Sequence, residues 1–178
     1  MTDALRIAIF TVVEVAALAI WLALVRSGSA IVGLVVLAVG FTLEHLIAYN
    51  VIHRRGLLEL RGAPVGQKAV VSLIETAIWA VWLVLAGMND ILAAVVLAAL
   101  LIVEHTLSDN VFKGRGLFSR LLDPRTIVFS LIEAAGAAIW LLLVDAGQAV
   151  IGIGILAVAS FIEHVMAVAL ARQDTASA

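Results

Sequence analysis

The sequence predicts an all-α integral membrane protein: six transmembrane helices forming three tandem, parallel helical hairpins around a pseudo-threefold axis along the membrane normal. Three observations predict this. The 178 residues are 64% hydrophobic and 13% charged, with a mean hydropathy of +1.18, whereas a soluble domain is about half apolar and a quarter charged. Six apolar stretches are each long enough to cross a hydrocarbon core, which takes about 20 helical residues. Finally, one set of residues (Glu, then Trp, then Glu-His) recurs three times at almost constant spacing.

The stretches run over 5–26, 30–53, 66–87, 90–112, 125–145 and 148–171. Backbone polar groups in lipid can be satisfied only within a helix or a closed barrel. No alternation of period two is present, and Leu, Ala, Val and Ile run on without turn residues, so helices are expected. The first stretch has the apolarity of a signal peptide. It recurs twice downstream and carries Glu14, so it reads as a permanent helix. Residues 1–178 read as a single membrane domain, with repeats at 5–53, 66–112 and 125–171 and amphipathic cytoplasmic linkers at 54–65 and 113–124.

Loop charge gives the orientation. The turns at Ser27-Gly28-Ser29, Gly87-Met88-Asn89 and Ala146-Gly147-Gln148 are tight and uncharged, so each helix pair must return as an antiparallel hairpin. Arg6, Arg54, Arg55, Arg61, Lys68, Lys113, Arg115, Arg120, Arg125 and Arg172 all fall on the other side, and only Arg26 does not. The positive-inside rule then places both termini in the cytoplasm and the protein in the cell's inner membrane. The basic, amphipathic linkers suit an anionic leaflet. The lipid bilayer and metal ions are the expected partners, and nucleic acid is not.

The repeats are in register. Glu14, Glu75 and Glu133 are each followed seven residues later by Trp21, Trp82 and Trp140, and some thirty residues later by Glu44-His45, Glu104-His105 and Glu163-His164. The linkers align as well, Asn50-Val51-Ile52-His53-Arg54-Arg55-Gly56-Leu57 with Asn110-Val111-Phe112-Lys113-Gly114-Arg115-Gly116-Leu117. Each unit has an even number of helices, so all copies share one orientation and a symmetry axis along the membrane normal.

Depth defines the chemistry. The first Glu of each repeat lies about nine residues into an outward-running helix, about 13 Å at 1.5 Å per residue. The Glu-His pairs lie at the same level on the returning helices. Six carboxyls and three imidazoles therefore form one layer without Lys or Arg. Ionisable groups at such depth cost several kcal/mol unless they face the interior and find partners. Protons can neutralise the layer, and so can metal ions: six ionised Glu balance three divalent cations, with one His nitrogen for each. The nine candidate ligands are Glu14, Glu44, His45, Glu75, Glu104, His105, Glu133, Glu163 and His164. Carboxylates with imidazoles suit iron, manganese or zinc, about three ions per chain. The donor set is chemically analogous to that of di-iron four-helix bundles, although adjacent Glu-His departs from their Glu-x-x-His spacing.

Cysteine is absent, which excludes disulfides, thiolate metal sites and cysteine-held iron–sulfur clusters. No nucleotide-binding loop is present, so any redox chemistry or metal handling must occur within the bundle. Two other readings compete: a proton or cation pathway using an acidic ring, and a structural subunit locked in register by its polar layer. Trp21, Trp82 and Trp140 suit either an interfacial belt or, since seven residues return a helix to nearly the same face, an inward plug on the outer side. Trp79 has no counterpart and reads as a lipid anchor. His53 reads as facing headgroups, and Gly33, Gly40, Gly136, Gly152 and Gly154 as points of close helix contact.

Overall fold

The computed structural model describes residues 2–61 and 63–176, with side chains as far as Gln173. Residue 62, in the first expected linker, lies outside the described residues. The helices are α1 (Asp3–Arg26), α2 (Ala30–Ile52), α3 (Val65–Ala86), α4 (Asp90–Phe112), α5 (Ile127–Asp145) and α6 (Ala149–Ala176), with a 3₁₀ turn at Pro124–Thr126 before α5. Among the described residues there is no strand, and all six helices are long and apolar enough to cross a membrane. The helix ends agree with expectation within a few residues, except that α6 continues past 171 to Ala176.

Local chemistry explains the ends. Asn89 Oδ1 accepts the Leu92 N–H at 2.9 Å and starts α4. Asp123 caps the 3₁₀ turn, with Pro124 at its first position. At the ends of α1 and α5 the chain reverses through Gly28 and Gly147, at φ +85° and +77°. Glycine adopts that left-handed conformation freely, and it lets Ser29 and Gln148 return a hydrogen bond to Leu24 and Leu143. The aligned Asn residues organise the linkers: Asn50 Nδ2 donates to the carbonyls of Leu57 and Glu59, and Asn110 Nδ2 to those of Leu117 and Arg120.

Each helix packs on its neighbours in the chain, and α6 returns to α1. The surface is inverted relative to a soluble protein. Ile31, Ile91 and Val150 are 80%, 79% and 86% exposed, while all six Glu of the predicted layer are buried. Such a distribution points to lipid as the surrounding medium. The larger apolar core fills the half toward the short turns, with Leu18, Trp21, Leu37, Phe41, Trp82 and Trp140 among its members. A smaller core (Ile7, Phe10, Ile47, Val51, Val168, Ala171) lies between α1, α2 and α6 toward the linkers. The Glu/His layer separates the two.

Two expectations are corrected. Trp79 is not a lipid anchor: it is fully buried, 5.3 Å from Trp82 in an edge-on contact and 6.5 Å from Phe41. It lies one helical turn from Glu75 and so shares the inward face. His53 turns inward, its Nε2 3.0 Å from the Phe112 carbonyl at the end of α4 and its ring 4.2 Å from Tyr49. It satisfies a carbonyl that has no partner within its own helix. Trp21, Trp82 and Trp140 follow the inward alternative, since all three are buried in the larger core toward the short turns and Trp82 stacks with Trp140.

Candidate metal centre

The nine predicted ligands line one cavity of about 50 Å³, room for a few water-sized species at about 10–15 Å³ each. Glu14, Glu75 and Glu133 reach it from α1, α3 and α5, and the Glu-His pairs from α2, α4 and α6. The six carboxyls, His45 and His164 are buried, and the His105 side chain is 12% exposed.

The contacts run in a cycle. His45 lies 3.1 Å from Glu44 of its own hairpin, and 3.7 and 3.4 Å from Glu75 and Glu104 of the next. His105 lies 3.6 Å from Glu104, and 3.1 and 3.5 Å from Glu133 and Glu163. His164 lies 3.1 Å from Glu163, and 3.5 and 3.8 Å from Glu14 and Glu44 on the first hairpin. Every imidazole thus touches three carboxylates. Glu44, Glu104 and Glu163 each serve two imidazoles, whereas Glu14, Glu75 and Glu133 each serve one. The tightest set is Glu44, His45 and Glu75, which can hold a metal ion: one ligand atom from each lies within 4.8 Å of the others.

Three hydroxyls complete the ring, and sequence reasoning missed them. Thr11 Oγ1 is 2.8 Å from His164 Nδ1, Ser72 Oγ is 3.2 Å from His45 Nδ1, and Ser130 Oγ is 2.7 Å from His105 Nδ1. Each belongs to the hairpin following that of its histidine. Each also stands three residues before the first Glu of its repeat, a regularity visible in the sequence. His45 has three further neighbours at Nδ1, the Phe41 carbonyl at 2.9 Å and the carboxylates of Glu44 and Glu75 at 3.1 and 3.7 Å.

Nε2 of His105 and His164 meets three carboxylates each and Nε2 of His45 meets Glu104, whereas Glu44 and Glu75 lie against Nδ1 of His45. Oε2 of Glu14, Glu75 and Glu133 is buried without a hydrogen-bond partner, although each lies within 3.1–3.7 Å of an imidazole nitrogen. Buried polar atoms are rarely left so, and each exception needs an explanation. Oxygen lone pairs facing nitrogen lone pairs are held together by a proton or a cation. Ser160 Oγ, 3.4 Å from Glu14 Oε1, is the one side-chain hydroxyl that donates to a first-position Glu among the described residues.

Toward the linkers the cavity is walled by Ala48, Ser108 and Ala167, one helical turn from the Glu-His pairs, and then by Ile52 and Phe112. Phe10 and Phe129 pack on the rings of His164 and His105 at 4.3 and 5.0 Å. Lys68, expected among the charges of the linker side, is 1% exposed, with Nζ above the rings of Tyr49 and Phe112 at 4.5 and 4.2 Å. It holds Phe112 from behind and does not line the cavity. On the side of the short turns Arg26, the lone cation there among the described residues, pairs with Asp145 at the end of α5.

Comparison with protein-family models, with curated proteins and with solved structures returns no match. The functional reading therefore rests on the residues themselves.

Proposed function

We propose that this chain is a multi-pass protein of the cell's inner membrane, with both termini cytoplasmic, whose three hairpins surround a three-ion Glu/His metal centre. The hairpins are related by a pseudo-threefold axis along the membrane normal. Each ion would be held by one His with Glu14, Glu75 or Glu133, and Glu44, Glu104 and Glu163 would be shared between neighbouring ions. The single observation that carries this reading is the cycle of contacts, in which every His meets one Glu of its own hairpin and two of the next. Sharing of the Glu-His carboxylates between neighbouring histidines is what bridged ions require.

Six carboxylate charges balance three divalent cations, so the centre is neutral without any lysine or arginine. Oxygen-rich ligation with one imidazole per ion favours iron, manganese or zinc over copper(I), which prefers sulfur. The chemistry such ions supply is Lewis acidity and, for iron or manganese, one-electron redox. The chain's own residues position the ligands, exclude lipid through the Phe10 and Phe129 walls, and leave an approach from the linker side. Redox chemistry or metal handling are the activities compatible with this site.

Mass-spectrometric metal analysis of the purified protein, without added metal or chelator, tests the reading. About three transition-metal ions per chain are expected, the number that balances six carboxylates. His105→Ala should lose its own ion and weaken the neighbours through shared Glu104 and Glu163. A folded wild type free of metal overturns the metal centre and leaves a protonated acidic ring, whose test is proton flux in liposomes.

A further inference from the structure

Thr11, Ser72 and Ser130 are hydroxyls inside apolar helices, where a Ser or Thr ordinarily does no more than bond its own backbone. All three do make that bond. Thr11 Oγ1 donates to Ile7 O at 3.0 Å, Ser72 Oγ to Lys68 O at 2.9 Å, and Ser130 Oγ to Thr126 O at 2.8 Å. A hydroxyl has one proton. When that proton goes to the carbonyl, the oxygen meets the imidazole as an acceptor, and Nδ1 of His164, His45 and His105 is then the nitrogen that carries the N–H.

We propose that Thr11, Ser72 and Ser130 are positioning residues that lock the three imidazoles as Nδ1–H tautomers and thereby present bare Nε2 atoms to the metal ions. This rests on the metal-centre reading and deepens it by naming the ligating nitrogen. The carboxylate contacts agree with the assignment at two of the rings, where Nε2 meets three carboxylates, within 3.1–3.6 Å in His105 and 3.1–3.8 Å in His164. In His45, Nε2 faces Glu104 alone, at 3.4 Å, and Glu44 and Glu75 lie against Nδ1, where they accept from the N–H. For His45 the Phe41 carbonyl accepts from the same Nδ1 and reinforces the choice. The hydroxyls also set where the ions lie. Each holds a histidine of the preceding hairpin, so each Nε2 is aimed across a boundary between hairpins and every ion joins two of them. Partners of metal-bound histidines that fix the ring in this way are typically worth 10–100-fold in metal affinity.

The experiment uses the full-length protein with ¹⁵N-labelled histidine in detergent micelles. The variants are Ser130→Ala, which removes the acceptor, and Ser130→Thr, which keeps it. Two readouts are taken on each: the imidazole ¹⁵N shifts of the chelator-treated protein, which report the tautomer, and metal affinity by chelator competition. Wild type and Ser130→Thr should show the Nδ1–H form at His105, and Ser130→Ala should shift that one ring toward Nε2–H. Metal affinity in Ser130→Ala should fall about 10–100-fold and recover in Ser130→Thr. An unchanged His105 tautomer in Ser130→Ala overturns the proposal, whatever happens to metal. Should Ser130→Ala fail to fold, Thr11→Ala with His164 as reporter and Thr11→Ser as rescue decides in the same way. If wild type binds no metal while the tautomer responds as stated, the positioning role stands and the metal centre falls.

Discussion

The α1–α2 and α5–α6 hairpins differ from α3–α4 in how closely their helices approach, and yet all three deliver a Glu and a Glu-His pair to one layer. Three residues after the first Glu the outer hairpins carry Ala17 and Gly136, where the middle one carries Ile78. Four residues before the second Glu they carry Gly40 and Ala159, against Leu100. A Cβ on Gly40 would collide with the Ala17 methyl, and one on Gly136 with that of Ala159, so each of these hairpins packs an alanine methyl directly onto a glycine. Gly33 and Gly152 likewise seat the indoles of Trp21 and Trp140, where the middle hairpin has Ala93 facing Trp82. The bulkier pairs hold α3 and α4 apart. A cleft of about 300 Å³ results between them and α5, lined by Trp82, Ala86, Ala93, Ala94, Ala138 and Leu141. The cycle of Glu/His contacts is the same across this difference in helix packing.

The largest effect that would test this contrast is deletion of an indole. Trp21→Ala removes a side chain enclosed by Gly33 and the larger core, at a cost of about 3–5 kcal/mol. Trp82→Ala should fall at the low end of that range, because Trp82 already borders the cleft. Denaturant unfolding in micelles measures both, and equal losses would break the comparison. A smaller effect is expected from overpacking. Gly136→Val should destabilise by about 1–3 kcal/mol, whereas Ala94→Val, directed into the cleft, should stay within about 0.5 kcal/mol of wild type. A costly Ala94→Val would mean that the cleft is not spare volume.

The smallest effect concerns the two linkers and acid. Burial, assisted by the nearby Arg55 and Lys68 charges, pushes the His53 imidazole below its usual value, so the folded linker prefers it neutral. A base depressed on folding contributes fully above the unfolded value of about 6.5 and loses that contribution as pH falls through it. In the second linker the Arg125 guanidinium, bonded to Asp123 at 2.7 Å, holds that carboxyl down at about 2. A carboxylate depressed in this way stabilises above about pH 3.9 and is lost as pH falls through the folded value. Acidification should therefore loosen residues 53–61 near pH 6 and residues 113–123 only below pH 4. Hydrogen exchange of the two segments, followed against pH, reads the order directly, and the reverse order would refute it.

Much of the layer was legible because its residues are expensive in an apolar helix. Glu14, Glu75, Glu133 and the Glu-His pairs stand out against Leu, Ala and Val, and their spacing alone assigns them one depth. The hydroxyls were not legible in the same way. Thr11, Ser72 and Ser130 can satisfy themselves on the carbonyl one turn back, so nothing about their cost announces a partner. Only their constant offset from the Glu marks them, and that offset gains meaning once a histidine of another hairpin is seen to rest on each. Trp79 and Lys68 misled for a related reason. An indole or an ammonium near a helix end is usually interfacial, and only the helix–helix contacts show that Trp79 fills space beside Trp82 and that Lys68 backs onto Phe112. The cleft follows from residues that are bulkier than their counterparts, which a reading focused on polar positions passes over.

The ion pair between Asp3 and Arg172, 2.7 Å apart, brings the first and last helices together at the linker side. The seam it closes is the third boundary between hairpins, bridged by the Thr11–His164 contact just as Ser72–His45 and Ser130–His105 bridge the other two. A closed cycle of this kind has no privileged starting point. The chain break could be moved to 54–61 or 113–122 and the old ends joined by a short polar peptide, giving a circular permutant that begins with the second or third hairpin. Every contact in the polar layer would remain available to it. By the same logic, hairpins made as separate polypeptides carry complementary partners for one another, since each histidine meets a hydroxyl and two carboxylates of the next hairpin.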